Sequence, residues 1–164
     1  MTTRALLVLV AAAALCLPSA ANAASTYNDA ITGFEYYATS TEGHFAGSAS
    51  GALPGYWDTV VDHTPLSLSS TPTATITGGS FSLATGYTLV TGTFTGGTVQ
   101  VTNVGAGCTN QTFDVEGTLS DVGPWYLGSG TGTFSAILTH YRKSVWGYCV
   151  TYAASVSGSF SLTF

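Results

Sequence analysis

From Tyr148 to Phe164 every even position is apolar or glycine, running Tyr148, Val150, Tyr152, Ala154, Val156, Gly158, Phe160, Leu162 and Phe164. The odd positions between them are Cys149, Thr151, Ala153 and then only Ser or Thr. A spacing of two puts one set on each face of an extended chain, whereas a helix would scatter them around its circumference. The segment is therefore expected to be an antiparallel strand with one face on a core and one in water. It is longer than an ordinary strand, so a bend is expected, with Gly158 as the corner.

The same alternation recurs in "QTFDVEGTL" (111–119), with Phe113, Val115 and Leu119 inward. Shorter runs follow it at 32–39, 44–51, 57–64, 74–83, 87–94, 98–102 and 132–141. No window carries the spacing of an amphipathic helix. A short motif, Gly-Ser/Thr-Phe, appears at 79–81, 92–94, 132–134 and 158–160. Glycine ahead of an inward aromatic marks places where a sheet curls. The expected fold is all-β: a single antiparallel β-barrel of about 8–10 strands, with a β-sandwich as the alternative.

The first 23 residues have the layout of a secretory signal. Arg4 precedes the apolar run "ALLVLVAAAALCL", and Ala21-Asn22-Ala23 forms an A-x-A cleavage site. Cleavage there leaves 24–164 as one β domain, with no membrane span and a secreted or periplasmic location. The segment 64–73 reads as a loop within it. Two cysteines then remain, Cys108 and Cys149, and in an oxidising compartment they are expected to pair. Two cations face eight acids, a net of −6, which argues against a nucleic-acid partner. Asn110-Gln111-Thr112 fits a glycosylation acceptor.

The chemistry-bearing residues fall into two sets. By parity, His63 shares a face with Trp57, and His140 shares one with Phe134, Ala136 and Leu138. With Tyr148 and Tyr152, these residues could form the polar end of a pocket in a barrel mouth. This first set (Trp57, His63, His140, Tyr148, Tyr152) implies a small apolar ligand, with an extension to a cyclase- or isomerase-like enzyme. The second set is Trp125 and Tyr126 in a Pro/Gly-bounded loop, with Arg142, Lys143 and Trp146 in a hairpin loop "YRKSVWG". Exposed rings there suit stacking on a carbohydrate or a cell-surface partner, and the cation pair is the one positive spot on an acidic surface. A non-catalytic binding module of this second kind is the leading expectation, and a purely structural exported protein is the third. No nucleophile elbow, compact metal-ligand spacing or phosphate loop is present, so no catalytic residue, metal or cofactor is assigned.

The triplet "GYW" (55–57) resembles the G-x-W of lipocalin-type barrels. In that family it opens the first barrel strand and its Trp closes one barrel end. The resemblance implies a Trp plug at Trp57; two strand-like runs precede the triplet and no second family motif follows, so no ligand is carried over.

Overall fold

The computed structural model describes residues 23–67, 72–125 and 128–164. The leader-like segment 1–22 and Tyr126 lie outside them. The strands are β1 (Thr26–Ala38), β2 (Glu42–Gly51), β3 (Gly55–His63), β4 (Thr73–Thr85), β5 (Leu89–Asn103), β6 (Gln111–Pro124), β7 (Gly130–Val145) and β8 (Tyr148–Thr163). Each pairs antiparallel with the next, and β8 returns to β1, closing an eight-stranded up-and-down barrel. No helix among the described residues is long and apolar enough to cross a membrane.

Two details differ from the sequence reading. The runs at 87–94 and 98–102 are one strand, β5, and Thr26–Asp29 already belongs to β1. In β5 the alternation breaks at Thr95, an extra residue between the pairs Phe94↔Leu119 and Gly96↔Thr118, just ahead of Gly96 and Gly97, which makes one bent strand read as two. Gly97 has φ 132, and an added Cβ would lie 1.9 Å from the Glu116 carbonyl oxygen, so this bend is reserved for glycine.

The recurring Gly-Ser/Thr-Phe motif supplies the barrel's filling. Its four phenylalanines, Phe81, Phe94, Phe134 and Phe160, are all buried. Phe134 packs edge-on against Trp57 at 6.0 Å and against Phe94 at 5.9 Å, while Phe81 meets Phe160 at 5.2 Å. Space for these rings comes from small inward neighbours: a Cβ on Gly117 would lie 2.4 Å from the Phe94 ring. Large beside small is how a narrow barrel fills a circular section.

An up-and-down barrel has two ends. The loops after β1, β3, β5 and β7 gather at one, here the upper end. The other three loops and the chain termini gather at the lower end. The upper end is laced by a disulfide between Cys108, in a short helical turn (Ala106–Cys108), and Cys149 on β8, 41 residues apart.

Candidate functional site

Above the aromatic plug the barrel is hollow. A cavity of about 210 Å³ opens at the upper end. Phe45, Val61, Val99, Phe113, Val115 and Leu138 form its apolar floor and walls, and Ala38, Thr39, Ser40 and Leu66 from the loops stand at its mouth. Between floor and mouth runs a polar collar of Glu35, His63, Gln111 and His140, and the Glu42 carboxylate, bonded to His44, also lines the cavity.

Register explains the collar. Gln111 pairs with His140, and His140 with Ala154, across β6, β7 and β8. The β1–β8 ladder ends at Gly33↔Val156, so Glu35 stands just beyond the last paired residue of β1. Ala154 is the only side chain of β8 at this level and is small. Across it the Glu35 Oε2 meets His140 Nε2 at 2.6 Å. Both side chains are largely withdrawn from water, 10% exposed for Glu35 and 18% for His140. The Phe113 ring lies against the imidazole, centroids 5.0 Å apart.

The other collar members are tied to backbone. His63 Nδ1–H donates to the Thr64 carbonyl at 2.8 Å, and the Gln111 side-chain amide donates to the Val104 carbonyl at 3.0 Å. A second buried carboxylate, Asp29, lies outside the cavity and accepts the Leu53 N–H on its Oδ1 at 2.8 Å. Among the described residues, no group of three His, Cys, Asp or Glu side chains is placed to hold a metal ion.

The expected pocket set divides. His63 and His140 line the cavity. Trp57 lies in the plug instead, its indole N–H shared between the carbonyls of Ser48 at 3.1 Å and Thr32 at 3.3 Å. Gly55 opens the third strand, not the first as in the family that the GYW triplet resembles. Tyr148 and Tyr152 point outward, 77% and 60% exposed. The cause is a bulge: Tyr141 pairs with Ala153 but Arg142 pairs with Thr151, leaving Tyr152 as an extra residue on β8. One extra residue turns every side chain beyond it to the opposite face. The unbroken alternation in sequence therefore crosses a reversal in space.

The surface set also separates. Trp125 follows β6 at the lower end, whereas Trp146 sits in the turn between β7 and β8 at the upper end. The length of β7 lies between them, so they cannot contact one small ligand together. The expected hairpin loop "YRKSVWG" is instead mostly strand, because β7 and β8 stay paired as far as Val145↔Tyr148. Only Trp146 and Gly147 turn, both at positive φ (50 and 84). Arg142 and Lys143 face opposite ways on that ladder. Arg142 Nη1 donates to the Gly105 carbonyl at 3.0 Å, bracing the loop that holds Cys108. Lys143 Nζ sits 5.2 Å from the Tyr152 ring centroid.

Glu35 and Gln111 were not singled out from sequence. Gln111 shares parity with Phe113 and Val115 in the cleanest alternation of the chain, a signal that places it inward. Glu35 is masked by Phe34, Tyr36 and Tyr37, which invite the reading that these rings face the core. They are exposed. Compared with known proteins, the chain matches no family model, and neither a curated protein nor a solved structure shows significant similarity to it.

Proposed function

We propose that this is an exported small-molecule-binding barrel. Its ligand is small and mostly apolar, with one polar group that meets the Glu35–His140 pair. The observation that carries this reading is the hollow upper half: a cavity with an apolar floor and its polar groups gathered at the collar and the mouth. Such a lining favours burial of an apolar body and fixes its orientation through a few polar contacts. The leader-like first 23 residues and the Cys108–Cys149 bridge support export.

Displacement of an environment-sensitive apolar dye, anilinonaphthalene sulfonate, tests the reading. The dye is expected to bind with one-to-one stoichiometry and to be displaced by small apolar alcohols or ketones. Leu66→Trp, which fills the mouth from a loop, is expected to weaken the dye at least about tenfold. Unchanged dye affinity in a folded Leu66→Trp variant would overturn the reading.

A second reading moves the carbohydrate expectation from the loops to the outer wall. Phe34 and Tyr56 are exposed and flank a shallow trough of about 620 Å³ floored by Ala46, Gly47 and Ser48. Exposed rings beside hydroxyls and the Asp58 carboxylate suit a sugar face. Retention on insoluble polysaccharide that is lost in Tyr56→Ser would support it. Equal elution of variant and wild type would remove it.

A further inference from the structure

Resting on the cavity reading above, we infer that the Glu35–His140 pair makes the site catalytic. His140 is a general base that removes a proton from the bound molecule, and Glu35 is the residue that positions it.

Hydrogen-bond capacity fixes which ring nitrogen carries the proton. An ionised carboxylate only accepts, so the short bond from Glu35 Oε2 places the imidazole proton on Nε2. In its neutral form the ring then carries its free lone pair on Nδ1. Among the described residues nothing else hydrogen-bonds to this ring, which lines the cavity and is packed against Phe113. This is the arrangement in which a carboxylate fixes the tautomer and orientation of a histidine base.

The surroundings select the proton donor. No Ser, Thr, Cys or Lys among the described residues is bonded to the imidazole, so the base has no protein nucleophile to activate. The proton must come from the ligand, and the floor next to the base is apolar. That combination fits a weak carbon acid, a small and mostly apolar molecule with a C–H acidified by a neighbouring carbonyl. Nδ1 takes the proton, and the electron pair of the broken C–H bond passes onto the carbonyl oxygen. The imidazolium that forms stands against the Glu35 carboxylate, whose charge is matched only at that stage. A contact that strengthens as the proton moves is what distinguishes catalysis from binding. In a ligand with a β,γ double bond the electron pair spreads over a dienolate; return of the proton to the γ-carbon moves the double bond to the α,β position and completes an isomerisation in which nothing is oxidised or reduced.

A nitrobenzisoxazole reports on such a base without knowledge of the natural substrate. Loss of its ring C–H proton to the base forms a nitrile, breaks the N–O bond and releases a coloured cyanonitrophenolate. The wild-type protein is expected to turn it over with saturation. His140→Gln is expected to lower kcat/KM at least about a hundredfold. Glu35→Gln is expected to lower kcat about tenfold and leave KM within about twofold, since it acts through the ring and not on the substrate. Glu35→Asp is expected to recover part of that loss, and Tyr87→Ser, in the exposed turn after β4 at the opposite end of the barrel, to change nothing. The dye assay separates the two proposals. A wild-type protein that binds the dye but turns over no faster than the same concentration of free imidazole would overturn the catalytic inference alone. So would a His140→Gln variant that binds the dye and keeps its rate. Absence of both dye binding and turnover would overturn both.

Discussion

Phe134 touches both Trp57 and Phe94, and its inward neighbours in the same motif family, Phe81 and Phe160, meet each other beside it. Removing a ring from this plug leaves a hole that the β ladder cannot close, so Phe134→Ala is expected to cost about 3–5 kcal/mol in denaturant unfolding. A loss below 1 kcal/mol would mean the plug is not the core. At the surface, the Tyr36 hydroxyl donates to Asp58 Oδ2 at 3.0 Å. Partial desolvation, the bond to Asp58 and the Asp58 charge together hold the Tyr36 proton above its ordinary value of 10.0. The folded state therefore binds this proton more tightly than the unfolded chain. Its contribution is whole at neutral pH, up to the unfolded value, and is lost as pH rises through the raised one. Half the side chain is in water, so screening keeps the effect within about 1 kcal/mol. The stability gap between wild type and Tyr36→Phe is expected to be level near neutrality and to vanish in strong alkali. A gap that widens with rising pH would contradict it.

The β7–β8 hairpin shows how one element decides what several residues can do. Before the bulge at Tyr152, even residues of β8 face the interior; beyond it, Cys149 and Thr151 turn to the side of Arg142, and Tyr148 and Val150 turn away. Cys149 thereby faces the loop carrying Cys108. Inserting one alanine between Tyr141 and Arg142 gives Tyr152 a partner, restores simple alternation along β8 and turns Cys149 away, so thiol titration of the unfolded, unreduced variant is expected to find two free thiols in 24–164 where the parent has none. A variant with the bridge intact would show that the bulge does not set the parity. This element also marks the limit of what alternation conveys. Period two marked every strand, though it divided β5 in two, and the inward histidines: the β6–β7 ladder is regular through His140, and the shift beside His63 adds its extra residue, Thr77, to β4 and leaves the alternation of β3 intact. It misplaced Tyr148 and Tyr152 because a bulge leaves no break in the pattern when both flanking faces carry apolar residues. Glu35 escaped notice because large rings stand on the outward face of β1: the inward positions are Asp29, Ile31, Gly33 and Glu35, which leaves Phe34 and Tyr36 in water.

At the scale of the molecule, the barrel is filled below and hollow above. The four motif phenylalanines and Trp57 fill the lower part, and the polar collar lies above it under the loops. The recurrence of Gly-Ser/Thr-Phe made the filling legible, since each copy delivers one ring to the same interior. The cavity was not legible, because it depends on Ala154 leaving room for Glu35 to reach His140 from a strand more than a hundred residues away. Closure of β8 onto β1 is the step that brings them together. On the proposed reading, ligands enter this upper cavity and not the tryptophan-bearing loops. Two-dimensional NMR of the labelled protein titrated with the apolar dye tests it directly, because His63 and His140 report on the cavity and Trp125 and Trp146 on the loops. The two imidazole resonances are expected to move while those two indole resonances stay fixed. Shifts of the Trp125 or Trp146 indole with the imidazoles unmoved would contradict it.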